Sequence, residues 1–465
     1  MKTTNTIAAI STAPGIGGIA VIRVSGSEAE KHCDAIFKAK NASSNIKKQF
    51  ANTVSYGSIV STKGEVIDDV LLSVFRAPHS FTGENVIEIA CHGSVYIQQK
   101  ILQLLLEQGC FLAQPGEFTQ RAFLNGKMDL SQAEAVADLI SSTSAASHRM
   151  AINQMRGGFS NELMNLRTQL LNFVSLVELE LDFNEEDVEF ADRTQLHTMA
   201  SNIEKFIARL TDSFKVGNAL KNGIPVALVG ETNVGKSTLL NVLLNEEKAI
   251  VSDIHGTTRD VIEDIVNIDG IVFRFIDTAG IRDTKDKIES MGIERTYQKI
   301  EQASIVLWLL DCTQVTEHIE WLTDRIAKRA VGKKIILVFN KIDKIASEER
   351  DVLNQLFEQF EGERIYISAR EHINTDGLKK ALIKAAQLPD INAGDVVVNN
   401  VRHYDALQKA HSSICRVIDG LNDGISNDFL SQDIRECIHH LGEITGQISN
   451  NEILANIFGK FCIGK

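Results

Sequence analysis

The sequence predicts a multidomain chain: an α+β N-terminal domain, an all-α helical domain, and an α/β domain inserted into the helical one. Three observations carry this. A strand-like run, Ile224 to Val229, leads through Gly230-Glu-Thr-Asn-Val-Gly-Lys-Ser237 into a helical pattern, Thr238 to Leu244. Apolar stripes at helical spacing occur on both sides of that unit. Ahead of them, residues 1–125 mix strand-like runs with glycine-rich turns.

Within residues 1–125, Ile19-Ala-Val-Ile-Arg-Val24, Asp69-Val-Leu-Leu-Ser-Val-Phe75 and Asn85-Val-Ile-Glu-Ile-Ala90 read as strands. Gly15, Gly17, Gly18, Gly83 and Gly93 crowd the turns, and Val95 to Glu107 repeats apolar residues as a helix does. Arg23 and Glu88 interrupt strands where core residues are expected. On spacing alone, each is an outward-facing strand position. Cys91-His92 reads as a buried pair rather than as two metal ligands.

Residues 126–217 and 389–465 read as two parts of the helical domain. Leu163, Leu166, Leu170, Val174, Val177 and Leu181 fall three or four apart, as do Leu196, Met199, Ile203, Ile207, Leu210 and Phe214. The spacing resumes with Val401, Tyr404, Leu407, Ile414, Val417 and Leu421. Such stripes are bundle core. Helices on both flanks of the α/β block at 218–388 favour one bundle carrying an insertion, because an exposed bundle loop tolerates one. Two separate bundles are the alternative.

The α/β block carries the chemistry. In the G-x-x-x-x-G-K-[ST] pattern, glycines let backbone N–H groups converge on an anion. Lys236 reaches the β- and γ-phosphates and Ser237 ligates Mg²⁺. Gly256-Thr-Thr-Arg-Asp260 offers hydroxyls for a switch that senses the γ-phosphate. Asp277-Thr-Ala-Gly280 follows Phe273 to Ile276, with Asp277 acting on Mg²⁺ through water and Gly280 donating an N–H to the γ-phosphate. Asn340-Lys-Ile-Asp343 follows Ile335 to Phe339. Its acid accepts two hydrogen bonds from guanine, which adenine cannot match. Ser368-Ala-Arg370 follows Ile365 to Ile367, where a backbone amide meets guanine O6. The set reads as a P-loop GTPase of Ras-like fold rather than an ATPase.

Composition sets the limits. With 465 residues the chain holds roughly three domains of ordinary size. A net charge of −13 argues against general nucleic-acid wrapping, so any RNA contact needs a local basic patch or a partner's surface. The acidic run Glu178 to Glu189 is by default a solvated face. Seven cysteines without C-x-x-C spacing argue for reduced, cytosolic thiols. No signal peptide is expected at Met1 to Ile10, and the apolar run Ile305 to Leu310 is too short to span a bilayer. These readings point to a cytoplasmic protein with no membrane partner. The tail, Gly459-Lys-Phe-Cys-Ile-Gly-Lys465, departs from the prenylation pattern at Gly464 and Lys465. It either frays or inserts into another domain's site, and composition leaves both open.

Taken together, the motifs resemble one family closely, the tRNA-modification GTPases MnmE, also called TrmE. The resemblance rests on Ala13-Pro-Gly15, Arg23-Val-Ser-Gly26, Phe81-Thr-Gly-Glu84, Pro115-Gly-Glu-Phe118, Arg121-Ala-Phe-Leu-Asn125 and Lys127-Met-Asp-Leu-Ser-Gln-Ala-Glu134. The GTPase motifs and Cys462-Ile-Gly-Lys465 complete it over essentially the whole chain. It implies a folate-binding, dimerising N-terminal domain and a homodimer. It also implies a flavoprotein partner, MnmG (GidA), in a heterotetramer that reaches tRNA as a complex. Such complexes install a carboxymethylaminomethyl or aminomethyl group at C5 of wobble uridine (position 34). The cofactors implied are GTP, Mg²⁺, K⁺ and a one-carbon tetrahydrofolate, with FAD and NADH on the partner. Arg23, Glu88, Lys127 and Lys465 become folate-site residues, which reverses the outward-facing reading of Arg23 and Glu88.

Hydrolysis needs its own argument. Ras-like enzymes orient water with a glutamine just after D-x-x-G; here that position is Ile281. The resemblance supplies substitutes. Potassium is held by Asn233, Ser252, Ile254 and Thr257, Mg²⁺ by Ser237 and Thr258, and Glu289 orients water once two GTPase domains meet. Ser252 stands where relatives have Thr, and a main-chain oxygen would serve there. The GTP contacts assigned are Asn233, Val234, Gly235, Lys236, Ser237 and Thr238 in the loop, then Ser252, Asp253, Ile254, His255, Gly256, Thr257 and Thr258. Asp277, Thr278, Ala279 and Gly280 follow, with Asn340, Lys341, Asp343, Ser368, Ala369 and Arg370 on the guanine side. Glu289, Lys236 and Cys462 are the catalytic candidates.

Two other functions remain on the sequence. A ribosome-assembly switch of the Era or Der type would share the GTPase motifs but lack the N-terminal block and Cys462-Ile-Gly-Lys465. A folate-binding scaffold with a vestigial nucleotide site is opposed by the intact Lys236, Ser237, Asp277 and Asn340-Lys-Ile-Asp343.

Overall fold

The structure is a computed structural model and describes residues 5–40, 46–182, 193–246, 264–276, 300–314, 332–388, 396–448 and 451–464. The chain divides into two compact units. The first comprises Met1–Ile140, Gln154–Glu204 and Ala406–Lys465; the second comprises Ser141–Asn153 and Lys205–Asp405.

The first unit holds a seven-stranded sheet of β1 (Ile7–Ile10), β2 (Ile19–Ser25), β3 (Phe37–Ala39), β4 (Thr53–Val60), β5 (Val66–Phe75), β6 (Val86–His92) and β7 (Phe111–Leu112). Their order is β3-β4-β5-β6-β2-β1-β7, antiparallel except for the β1–β7 pair. Alternation sets the two faces. Ala20, Ile22 and Val24 of β2 turn into a core with Ile89, Leu72 and the helices Ala29–Ile36 and Val95–Glu107. On β1, Ala8 joins that core, while Ile7 and Ala9 pack with Phe118 of the helix Glu117–Leu124. Arg23 lies directly opposite Glu88 across β2 and β6.

The same unit carries helices. Gly158–Asp182 packs against Asn427–Thr445. The stripe residues Leu163, Leu166, Leu170, Val174 and Val177 are buried, as are Leu430, Ile434, Cys437 and Leu441 on the partner helix. Leu130, Ala133, Leu454, Phe458 and Phe461 form a small apolar cluster that joins Leu130–Ser141 to Asn451–Phe458. In the third stripe Leu407, Ile414, Val417 and Leu421 are buried, but Val401 is exposed at the first residue of the helix Val401–Asp423.

The second unit is a six-stranded sheet of β8 (Ile224–Val229), β9 (Asp264–Ile268), β10 (Ile271–Phe275), β11 (Ile305–Asp311), β12 (Lys334–Asn340) and β13 (Glu363–Tyr366). The order is β13-β12-β11-β8-β10-β9, parallel except at the β9–β10 hairpin. Asp269 and Gly270 turn that hairpin with φ of 50° and 83°, the pair of positive values a tight hairpin turn favours. Every residue of β11 is buried, as a central parallel strand covered on both faces requires. Val226, Leu228, Leu307 and Leu309 face a core with Leu239, Leu243 and Leu378. Ala227, Val229, Val306 and Trp308 face the opposite one.

One sequence reading is corrected. Cys91 is buried, but His92 is exposed and its Nδ1 lies 2.7 Å from Asp68 Oδ1. Successive strand residues point to opposite faces, so the two side chains diverge. Among the described residues no helix is long and apolar enough to cross a membrane.

Candidate functional site

The second unit gathers its polar motifs at the carboxyl ends of β8, β11 and β12, where open parallel sheets bind ligands. The loop after β8 turns through positive φ at Gly230 (155°), Asn233 (63°) and Gly235 (101°). Close approach explains two of the glycines. A Cβ at Gly230 would lie 2.4 Å from the Leu309 carbonyl oxygen, and one at Gly235 would lie 2.3 Å from Asn340 Nδ2. The helix Lys236–Glu246 follows at once, so its unsatisfied N–H groups open at the loop. Lys236 Nζ donates to the carbonyls of Gly230 and Glu231, each at 2.7 Å. Asn233, Ser237 and Thr238 are exposed there, and Val234 is buried beneath.

Asn340 joins the two halves of this site. Only 3% exposed, it donates from Nδ2 to the Val234 carbonyl (2.7 Å) and accepts from the Ala369 N–H at Oδ1 (3.0 Å). One side chain thus fixes the phosphate loop and the Ser368-Ala-Arg370 turn together. Ser368 closes that turn through a two-way backbone bridge with Ile373, and Arg370 extends into solvent. Lys341, at φ 68°, donates to the Asn233 carbonyl at 2.9 Å and pairs with Asp311. Burial would raise the Asp311 pKa, but the Lys341 ammonium and the Thr313 hydroxyl and N–H outweigh it and hold the carboxyl below its ordinary value. Asp343 is exposed beside this frame. Asp311 was not singled out in the sequence, where it only ends an apolar run.

The remaining nucleotide and ion assignments lie outside the described residues. These are Ser252, Asp253, Ile254, His255, Gly256, Thr257, Thr258, Asp277, Thr278, Ala279, Gly280 and Glu289.

In the first unit, a second cluster forms around the loop at residues 78–84. Arg23 donates to Glu88 Oε1 at 2.8 Å, and its guanidinium sits 5.5 Å from the Phe81 ring and 5.6 Å from the Phe118 ring. Lys127 Nζ donates to the Pro78 carbonyl at 2.9 Å. The tail reaches the same neighbourhood. Gly464 accepts from Ser11 Oγ at 3.1 Å, and a Cβ on it would lie 2.3 Å from the Ile10 carbonyl oxygen. The Gly116 N–H, at the start of the Phe118 helix, donates to the Cys462 carbonyl at 3.4 Å. Residues 462–464 are therefore docked rather than frayed, with the Cys462 thiol exposed. Lys465 lies outside the described residues.

Beneath this cluster is a buried cation. Arg121, 1% exposed, donates to the Asn5 carbonyl (2.8 Å), Glu117 Oε1 (2.8 Å) and Glu84 Oε2 (3.1 Å). Ser25 and Thr82 complete the network, with Ser25 Oγ donating to Glu84 at 2.7 Å. Its partners come from four chain segments, so no local pattern announces it.

Comparison with known proteins adds the following. The family model for the MnmE helical domain matches residues 130–462, and that for the GTP-binding protein TrmE N-terminus matches residues 6–127. The tRNA modification GTPase MnmE of Bacteroides thetaiotaomicron is 60% identical over 464 residues, covering 99% of both chains. The protein of that name from Parabacteroides distasonis is 57% identical over 462 residues, covering 99% of this chain and all of that one. That of Flavobacterium johnsoniae is 53% identical over 465 residues, covering 99% of both.

Proposed function

This chain belongs to the MnmE family of tRNA modification GTPases, and from that premise we propose its reaction in finer terms. It is a GTP hydrolase that serves tRNA modification. Hydrolysis is potassium-dependent. With an FAD-containing MnmG-like partner, the protein forms the carboxymethylaminomethyl or aminomethyl group at C5 of wobble uridine in certain tRNAs. It works in the cytoplasm as a homodimer within a heterotetramer, and tRNA is reached through the complex. The docking of residues 462–464 beside the Arg23–Phe118 cluster is the observation that carries the reading beyond a simple GTPase.

In the nucleotide site, Lys236 leaves its own loop carbonyls to meet the β- and γ-phosphates, and the helix N-terminus adds N–H donors. Asp343 accepts from guanine. The Ser237 hydroxyl, exposed on the first helical turn, suits Mg²⁺, with Thr258 as the switch ligand. The exposed Asn233 side chain suits a potassium ion, completed by Ser252, Ile254 and Thr257. A potassium ion held by these residues would supply positive charge against the charge developing between the phosphates. Glu289 orients the attacking water.

In the first unit, Arg23 and Glu88 beside the exposed Phe81 ring suit a folate: an aromatic ring for its flat heterocycle, a carboxylate to accept from its amino group. Lys127 and Lys465 would hold its anionic end. The folate supplies the one-carbon unit when bound.

Mass spectra of wobble nucleosides in tRNA from cells with and without the protein test the function. Loss of the C5-aminomethyl nucleosides is expected, whereas unchanged spectra with defective ribosomes would favour an Era- or Der-type switch. Matched potassium and sodium chloride should give turnover differing by roughly 10²–10³, the effect of one transition-state stabiliser. Equal rates would remove the ion. Glu289→Ala should reduce turnover with GTP binding nearly intact; normal hydrolysis would assign the water to another residue.

A further inference from the structure

Three side chains of different ligand type meet in the first unit and belong to neither cluster described above. Glu204 lies on the helix Arg193–Asn222, and His411 and Cys415 lie one turn apart on Val401–Asp423. The i,i+4 spacing puts the imidazole and thiol on one helix face. His411 Nε2 is 2.8 Å from Glu204 Oε1, and Cys415 Sγ is 3.8 Å from His411 Nδ1 and 3.9 Å from Nε2. One ligand atom from each of the three lies within 4.8 Å of the others, and all three residues are half-buried.

We propose that Glu204, His411 and Cys415 form a binding site for a thiophilic divalent cation, zinc above all, that clips these two helices together. Sulfur, imidazole nitrogen and carboxylate oxygen are the ligand set of zinc, whereas Mg²⁺ and Ca²⁺ want oxygen alone. Tetrahedral zinc would set sulfur and nitrogen roughly 3.5 Å apart and nitrogen and oxygen roughly 3.4 Å apart. The sulfur is already near that spacing, and a small rotation of Glu204 reaches the other. Three protein ligands leave one position for water, which makes an exchangeable site rather than a closed structural one. A Glu–His hydrogen bond accounts for the 2.8 Å contact and the helical spacing for the thiol, and their meeting at one point is what assembles a mixed S, N, O ligand set. A reactive-thiol reading is opposed by burial, which with the Glu204 and Asp419 carboxylates pushes the Cys415 thiol up. On coordination the thiol gives its proton to solvent and the cation takes the sulfur lone pair, with no redox change.

The position gives the clip a consequence. Glu204 is the last residue of its segment of the first unit, and Ala406, five residues before His411, begins the returning segment. A cation here would tie the helix that leads into the second unit to the helix that returns from it.

The full-length protein, stripped with chelator and held in excess Mg²⁺ and GDP to fill the nucleotide site, is titrated with Co²⁺. A thiolate-to-cobalt charge-transfer band saturating at one equivalent and displaced by Zn²⁺ is expected. Cys415→Ser should abolish the band and the zinc-induced rise in melting temperature, while Cys462→Ser, which removes the exposed thiol, should retain both. Glu204→Gln keeps a partner for His411 but loses the anionic ligand, and should weaken Co²⁺ at least about tenfold. If Cys415→Ser fails to fold, Glu204→Gln decides, and unchanged affinity overturns the site. Absence of a band in the wild type, survival of the band in Cys415→Ser, or its loss in Cys462→Ser overturns it equally.

Discussion

Asn340→Ala should lose about 10²–10³-fold in guanine-nucleotide affinity, because two buried partners lose their bond at about 1–3 kcal/mol each. Asn340 is 3% exposed, and it alone holds both the Val234 carbonyl at 2.7 Å and the Ala369 N–H at 3.0 Å. Alanine leaves an acceptor under the phosphate loop and a donor under the guanine turn without partners. The loop and the turn then lose their common anchor, so the nucleotide must order each on binding. The sheet should survive, since Leu337 and Phe339 of β12 keep their packing. Titration with a fluorescent GDP analogue reads the affinity, and circular dichroism reads the fold. Binding within a few-fold of wild type would take the anchoring role from Asn340.

How far the sequence carried depends on the range of the signal. Ile224 to Val229 is β8 to the residue, and the run Ile305 to Leu310, read only as too short to span a bilayer, lies in the fully buried β11. Both are central parallel strands, where continuous apolar character is itself the signature. β9 and β1 are shorter, and neither stood out. β1 is four residues, and its faces are decided by Phe118 and by β7, more than a hundred residues away. The nucleotide motifs were legible because phosphate and guanine recognition depend on contiguous backbone. Asp311 was not, since its partner Lys341 comes from the neighbouring strand's end. Arg121 shows the same limit: a cation reads as surface until Glu84, Glu117 and the Asn5 carbonyl are assembled around it. His411 and Cys415 share a helical spacing, but nothing local joins them to Glu204, 207 residues before His411.

Cys462→Ser should abolish the proposed wobble-uridine modification and leave GTP hydrolysis near the wild-type rate. Separability follows from placement: the thiol belongs to the first unit, and every described residue proposed to meet phosphate or guanine belongs to the second. The Phe461 N–H donates to the Phe458 carbonyl before the thiol, and Gly116 and the Ser11 hydroxyl hold the Cys462 and Gly464 carbonyls after it, so the backbone on both sides is fixed while the thiol stays exposed. Serine keeps the volume and both backbone contacts, and only the sulfur is lost. A packing role would therefore tolerate it, whereas a nucleophile or a soft hydrogen-bond partner at the one-carbon site would not, because a neutral hydroxyl is a far weaker nucleophile than a thiolate. Gly464→Ala supplies the contrast. Its Cβ would press within 2.3 Å of the Ile10 carbonyl at φ 92°, so it should lift the tail and lower modification by displacing a chemically intact thiol. Nucleoside digests of tRNA from strains carrying only each variant give the readout. Wild-type modification in Cys462→Ser would make the thiol dispensable and reduce the docked tail to a structural strap.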